Sequence, residues 1–353
     1  MTNGRAVRRG GSARRFLILI LNTDIFPLIA AKQMFLGIEI GGTKLQLGVG
    51  AGSGPPFAGF RRLDVDARNG AQGIREQIAQ AGRQLFSEFP IKAIGFGFGG
   101  PINAATGTVT TSHQVEGWDN FPLAQWCTNT FGVPTFLGND CDMAALAEAR
   151  FGAGRNKRSV FYVTVGTGVG GGLVFDGALF GSQRPAIAEI GHLRPGLEAT
   201  SPEQTVESLA SGRGIEASAR AALAATKRYD LHISRLMNRC GGQPQQLTAK
   251  VIAEEAAAGN PLAISAMDRA CQALGWAIAQ VITLVAVEAV IVGGGVSMAR
   301  EKVFFRPLRR AVAAYVFPPL RDSYEILAPR LGEEVVVHGA VAMAADRFAE
   351  LSS

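Results

Sequence analysis

Short apolar runs alternate with longer amphipathic or alanine-rich segments from Met34 to near the end of the chain. Apolar runs bounded by turn residues are typical of strands, and they lie at 35–40, 45–49, 93–98, 135–138, 160–165, 172–175 and 290–292. Helical spacing and composition predict helices at 71–89, 141–150, 247–258 and 262–287, another from 211–214 to about 225, and a last one within 334–348. This alternation predicts an α/β fold.

A longer repeat is visible within the pattern. A strand, a glycine-rich turn and a second strand occur at 35–49 and again at 160–175. Two similar halves that each open with such a hairpin predict two related α/β domains facing one another.

The composition is that of a folded protein with a basic N-terminal extension. The 353 residues are enough for two domains, and 47% hydrophobic against 18% charged residues exclude a disordered chain. The first 33 residues carry +5 of the net charge of +6, so the body from Met34 is nearly neutral and no nucleic-acid partner is expected. Four scattered cysteines without a Cys-x-x-Cys pair indicate reduced thiols in a cytoplasmic protein.

Residues 1–33 allow two interpretations. Arg14 and Arg15 before the apolar run 16–21 resemble a twin-arginine signal peptide, but the run is shorter than such signals need. We favour the alternative, a disordered or untranslated extension with Met34 as the functional start.

The apolar run 274–292 has the length of a membrane span. Gln280, Thr283 and Glu288 interrupt it, and a glycine triplet follows it. A buried helix followed by a buried strand is therefore the better interpretation, and no membrane partner is expected.

Glycine clusters at 41–42, 166–171 and 293–295 follow predicted strands. Without a Cβ, the backbone amides of such turns can close around an anion. One turn of this kind is a weak signal, but three predict binding of nucleotide phosphates. The chain lacks the G-x-x-x-x-G-K-[ST] sequence of P-loop enzymes. The strand predicted after 166–171 also argues against a dinucleotide site, which needs a helix there.

Four motifs occur in order along the body: GIEIGGTK at 37–44, GTGVGGG at 166–172, EIGH at 189–192 and IVGGG at 291–295. As a set they resemble the ROK family (repressors, ORFs, kinases), within the actin/hexokinase/Hsp70 superfamily. The resemblance runs from about Met34 to about Phe348. It implies two related actin-like ATPase domains of the ribonuclease H-like type, flanking a cleft. The implied small domain is 34–138, completed by the C-terminal helix, and the large domain is 139–353.

The resemblance implies a catalytic role for Asp140. Phosphoryl transfer needs an acceptor hydroxyl that is oriented in line and relieved of its proton, and a carboxylate that opens a helix at a cleft suits both tasks. Taken alone, Asn139 or Asp140 would rather be a helix N-cap. The implied sugar ligands are Asn139, Glu189, His192, Glu207 and Gly100, and the implied ATP-binding residues are Gly41, Gly42, Thr43, Lys44, Gly166, Thr167, Gly168, Gly170, Gly293, Gly294 and Gly295.

Two further features bear on the sugar site. Glu189 and His192 are three residues apart, so on a helical turn they share a face. Trp118 matches a loop that often lines the sugar cleft in the family, but an aromatic residue there also fits a plain core position, and the sequence leaves both open.

The chain departs from the family pattern at two places. Glu39 stands where the family has Asp, so it keeps the charge for a Mg²⁺ site through water but is one methylene longer. The cysteine-rich zinc site that follows Glu-x-Gly-His in most members is missing, since 193–206 contains no Cys. Structural zinc needs about four N or S ligands, so we expect no zinc.

The predicted function is ATP-dependent phosphorylation of a hexose hydroxyl, as in a glucokinase, with ATP and Mg²⁺ as cofactors. The alternatives are an N-acetylhexosamine or fructose kinase of the same family, or a catalytically weak sugar-binding sensor. A repressor of the family needs an N-terminal helix-turn-helix domain, for which 33 residues are too few. The resemblance also implies a cytoplasmic homodimer.

Overall fold

The computed structural model describes residues 33–352, except 113–114, 182–183, 185 and 227–229. The interpretations of the N-terminal extension therefore fall outside the described residues. The strands are β1 (Met34–Ile40), β2 (Lys44–Gly50), β3 (Gly59–Asp64), β4 (Ile91–Phe98), β5 (Ile102–Asn103), β6 (Thr108–Val109), β7 (Thr135–Asn139), β8 (Ser159–Val165), β9 (Val169–Phe175), β10 (Ala178–Leu179), β11 (Ala289–Gly293) and β12 (Glu325–Leu327).

Helices pack around these strands. They are α1 (Gly70–Glu88), α2 (Leu123–Phe131), α3 (Asp140–Phe151), α4 (Val206–Ala210), α5 (Gly212–Ala225), α6 (Leu231–Arg239), α7 (Ala249–Ala257), α8 (Pro261–Val285), α9 (Arg306–Tyr315) and α10 (Val335–Leu351). None of the helices in this part of the chain is long and apolar enough to cross a membrane. The run 274–292 is instead the end of buried helix α8 followed by buried strand β11, as predicted.

Two five-stranded sheets have the same topology. The strand order is β3-β2-β1-β4-β7 in the first sheet and β10-β9-β8-β11-β12 in the second. In each sheet the opening hairpin is antiparallel and the later two strands join in parallel. The internal repeat predicted from the two glycine hairpins is therefore confirmed. The division of the body at residue 138 stays a prediction.

Helices α3 and α10 lie between the two sheets. Helix α10 packs on β1 and β4 of the first sheet and on α3, while α3 packs on β8 and β9 of the second. The approach is close because glycines stand at the contacts. A Cβ on Gly95 of β4 would collide with the carbonyl oxygen of Ala340, and one on Gly339 would collide with that of Met143.

The far end of α3 is held by a buried carboxylate. Glu148 is fully buried, and its oxygens accept hydrogen bonds from the amides of Ala153 at 2.7 Å, Arg330 at 2.8 Å and Leu331 at 2.9 Å. Hydrogen bonds from backbone amides satisfy a buried charge that would otherwise be costly. The contact joins α3 to the segment that leads into α10.

The sequence pattern missed the elements with weak signals. Strand β3 has two arginines at its centre and lies at the sheet edge, and β12 is only three residues long. Helix α9 was also missed, although the sequence carries a signal for it. A proline stands in its first turn, and its buried residues Leu308, Ala311 and Val312 follow helical spacing.

We expect Gly95→Ala to lower the free energy of unfolding by about 1–3 kcal/mol, the usual cost of overpacking. The added methyl group has to displace backbone of α10. Gly50→Ala is the matched control, since its Cβ would lie 3.5 Å from the nearest atom, in ordinary contact. Urea unfolding of both variants measures the difference, and equal midpoints would contradict the proposed packing constraint.

Candidate active site

The two glycine hairpins present free backbone amides. The first glycine of each turn closes it, with Gly41 N–H donating to Lys44 O at 2.9 Å and Gly166 N–H to Gly168 O at 2.9 Å. The amides of the next two residues in each turn, 42–43 and 167–168, donate to no described residue. Unpaired amides in a glycine turn form an anion-binding concavity.

The third glycine cluster adjoins the second hairpin. Gly294 has φ of +86° and lies against the backbone of Val165, which directly precedes the 166–168 turn. A side chain at this position would be strained and would also meet that backbone. The Gly294 carbonyl accepts a hydrogen bond from the Ser297 hydroxyl at 2.7 Å, which fixes the start of the turn 295–299. The structure thus brings the predicted phosphate-binding glycines of the second half together.

Asp140 opens helix α3 at the end of strand β7. Asn139 is the N-cap, since its Oδ1 accepts from Cys141 N–H at 2.8 Å, and its amide nitrogen donates to Gly100 O at 3.3 Å. Asp140 Oδ1 accepts from the same Cys141 N–H at 2.9 Å. Asn139 is thus the main N-cap of helix α3. The position of Asp140 remains compatible with a catalytic role.

Asp140 lies between the two hairpins. On one side, a Cβ on Gly99 would lie 3.3 Å from Asp140 Oδ2 and 3.6 Å from the carbonyl of Ile40, the residue before the first turn. On the other side, a Cβ on Gly170 would lie 2.6 Å from the sulfur of Cys141. The start of α3 therefore lies between Gly99, beside the end of β1, and Gly170 of β9, the strand that follows the second turn.

The acidic side chains of the site raise one another's pKa. Burial raises the pKa of Asp140, the amide of Cys141 opposes this, and the Glu189 charge adds to it. Burial, Asp140 and Glu189 together raise the pKa of Asp142 to about 7. Like charges in a poorly solvated site disfavour simultaneous ionisation, so Asp140 and Asp142 are harder to ionise than exposed aspartates.

Glu39, on strand β1, contacts side chains of the paired strand β2 in the first hairpin. Its Oε1 lies 3.5 Å from Lys44 Nζ, and with the Gln46 amide in its hydrogen-bonded orientation Gln46 donates to Oε2 at 2.6 Å. The pKa of Glu39 is raised to about 7. Burial is the largest cause, Lys44 opposes the shift, and Asp140 adds to it. Among the described residues no group of three His, Cys, Asp or Glu side chains could hold a metal directly. This donor set fits Mg²⁺ bound through water and substrate phosphates, as Mg²⁺ commonly is.

The remaining predicted sugar ligands also lie together. Glu189 flanks the short 3-10 turn Ile190–His192, where residues three apart are eclipsed, so Glu189 and His192 share a face as predicted. Partial burial and the Glu207 charge raise the pKa of Glu189, while His192 lowers it. Glu207, in α4, accepts from Val169 N–H at 2.8 Å.

Trp118 belongs to the core. It is 1% exposed, and its ring meets those of Phe98 and Phe121 edge to face, at 5.5 and 5.6 Å. The interpretation of this residue as a lining of the sugar cleft is therefore wrong. A fully buried indole has no surface left to offer a sugar.

Sequence reasoning missed Cys141, Asp142 and Gln46 as members of the site. Asp142 is in the first turn of α3, where an acidic residue usually serves to complement the helix dipole. Its proximity to Asp140 in sequence was the available signal. Lys44 and Gln46 are two residues apart on β2, so their side chains lie on the same face of the sheet. Glu39 pairs with Gln46 on the neighbouring strand and shares that face.

Comparisons with known proteins agree with this geometry. The ROK family profile matches residues 35–347. The glucokinase of Thermotoga maritima is 30% identical over 323 residues, covering 90% of this chain and 99% of that protein. Among solved structures, a ROK hexokinase from Thermus thermophilus superposes with a TM-score of 0.76 at 25% identity, over 90% of this chain and 100% of that one. A ROK family glucokinase from Streptomyces griseus, in complex with glucose and AMPPNP, gives 0.72 at 28% identity, over 89% and 99%.

The chain belongs to the ROK family. Its fold is the actin-like ATPase fold of the ROK sugar kinases, so the predicted fold class is confirmed. The prediction of an ATP-dependent sugar kinase is confirmed at the level of the enzyme class.

Gly170→Ala should lower kcat roughly 10-fold or more, because its Cβ displaces the Cys141 sulfur at the start of α3, and a 1 Å misplacement of a catalytic group can cost up to about 10². Cys141→Ala in the same chain removes the sulfur and should restore most of the activity. A coupled kinase assay compares both variants with Cys141→Ala alone. A double variant no faster than Gly170→Ala would refute the steric link.

The absence of zinc stays a prediction. We expect elemental analysis to find well under one zinc per chain. Chelator treatment should leave the melting temperature and, once Mg²⁺ is restored, the kinase rate unchanged, since structural zinc needs ligands that 193–206 lacks. A fold that only zinc rescues after chelation would contradict this.

Proposed function

We propose that this enzyme transfers the γ-phosphoryl group of ATP to a hydroxyl of glucose, with Asp140 as the general base. The observation that carries the proposal is the position of Asp140, in contact with Gly99 beside the first hairpin and next to Cys141, which meets Gly170 of the second. A hydroxyl bound at this carboxylate would lie at the start of α3, between the strands that carry the two glycine turns.

Phosphoryl transfer depends mainly on positioning and charge stabilisation. In the proposed reaction, the free amides of 42–43 and 167–168 hold the phosphates, and 293–295 lies at the nucleotide. Asp140 orients the acceptor hydroxyl and takes its proton as the new phosphorus–oxygen bond forms. Its raised pKa makes it a better proton acceptor than a solvent-exposed aspartate. When bound, Mg²⁺ neutralises charge on the β- and γ-phosphates, and Glu39 would hold it through water.

The proposed sugar ligands are Asn139, Glu189, His192, Glu207 and the carbonyl of Gly100. Carboxylates and imidazole can pair with neighbouring hydroxyls of a hexose. Glucose is proposed as the acceptor because several relatives of high coverage are named glucokinases. An N-acetylhexosamine, fructose and a weakly catalytic sensor are the alternatives. A panel of hexoses with ATP separates them, since a sensor would bind sugar without turnover.

Asp140→Asn tests the role of the base. We expect kcat to fall by roughly 10² to 10⁴, because general base catalysis and the orientation of the hydroxyl are both lost, while binding of an ATP analogue persists. Asp322→Asn, at an exposed position outside the site, is the matched control. Retention of more than about a third of the wild-type kcat on the best sugar would remove Asp140 from this role.

A further inference from the structure

The Glu207 carboxylate contacts the second glycine hairpin directly. Its Oε2 accepts from the amide of Val169 at 2.8 Å, and Val169 is the residue that follows the 166–168 turn. No other side chain among the described residues bonds to the backbone of 166–169. A residue proposed as a sugar ligand thus also supports the proposed phosphate-binding turn.

The absence of a side chain at Gly168 permits this contact. A Cβ there would lie 2.6 Å from Glu207 Oε2, and the φ angle of Gly168 does not lie in the left-handed region. A Cβ at this position would push the carboxylate away from the Val169 amide, so glycine leaves space for this hydrogen bond and is not required by the backbone conformation.

The segment that carries Glu207 is bonded to the turn at a second point. Gly212, the first residue of α5, donates its amide to Gly166 O at 2.8 Å. Helix α4 itself begins with a reciprocal cap between Thr205 and Ser208, which fixes the backbone around Glu207. Both ends of the 166–168 turn are thus bonded to 207–212.

The second carboxylate oxygen is available. Glu207 Oε1 accepts a hydrogen bond from none of the described residues, and the residue is partly buried. Its charge also acts on Glu189. A hydroxyl donor reaching this side of the carboxylate would share Glu207 with the Val169 amide.

We infer that Glu207 is a positioning residue that couples the sugar site to the ATP turn, so that each ligand strengthens binding of the other. The inference rests on the proposed function. An unliganded carboxylate beside the turn repels the phosphates that its amides attract. A sugar hydroxyl that donates to Oε1 disperses this charge and fixes Oε2 on Val169, which favours the turn geometry that binds phosphate. Coupling of this kind is reciprocal by linkage.

The test measures the affinity of full-length protein for AMPPNP with Mg²⁺, by calorimetry, with and without a saturating concentration of glucose or the best sugar of the panel. The ratio of the two affinities is the coupling factor. We expect a coupling factor of at least about 5 for the unmodified chain, the lower end of typical allosteric coupling.

Two variants should bring the coupling factor close to 1. Glu207→Ala removes the carboxylate. Gly168→Ala keeps the Glu207 side chain but displaces its carboxylate from the Val169 amide. Gly168→Ala keeps the test decisive if Glu207→Ala folds poorly or binds sugar too weakly. A direct effect of Gly168→Ala on AMPPNP affinity cancels in the coupling factor, because it changes the affinity equally with and without sugar. Glu203→Gln, an exposed acidic residue four positions earlier, should keep the unmodified factor.

The outcomes separate the inference from the proposed function. Turnover and binding of both ligands with a coupling factor near 1 in the unmodified chain would overturn the inference alone. So would an unchanged factor in Gly168→Ala and Glu207→Ala. A chain that binds neither AMPPNP nor any hexose would overturn the proposed function and the inference together.

Discussion

The contact of the first turn of α3 with both glycine hairpins is the constraint on which the site depends. Asp140 meets Gly99 beside the end of β1, and Cys141 meets Gly170 on β9. A side chain at Gly170 would have to displace the Cys141 sulfur, and one at Gly99 would crowd the Asp140 carboxylate. The two sheets have the same topology, and the start of α3 lies against a strand end from each of them.

The electrostatics of the site follow from the same geometry. Glu39, Asp140 and Asp142 come from neighbouring elements and are largely withdrawn from water, so their pKa values rise and each charge makes the next less favourable. Lys44 offsets part of this at Glu39. Such a cluster holds more acidic than basic side chains, which fits the proposed binding of phosphates through backbone amides and a hydrated cation.

The sequence predicted what short-range rules determine. The hairpins, the buried α8–β11 pair and the N-cap at the start of α3 all have local signatures, and the family resemblance made Asp140 a candidate base. Contacts across the fold left no such trace. Nothing in the chain around Glu207 indicates that Val169 is its partner, and Trp118 could not be assigned to core or cleft until Phe98 and Phe121 were placed around it. Strand β3 was missed because polar residues mask its alternation, whereas helix α6 was missed although its buried residues Ile233 and Leu236 are three apart, as on one face of a helix.

The position of α10 has a consequence for synthesis of the protein. The helix that covers β1 and β4 is the last described element, while β1 is the first described one. Translation proceeds from the N-terminus and domains fold as their segments emerge. The face of the first sheet that carries Gly95 therefore stays uncovered until Val335–Leu351 has emerged from the ribosome, long after β1. During that interval this face of the nascent sheet is the surface that chaperones would need to protect.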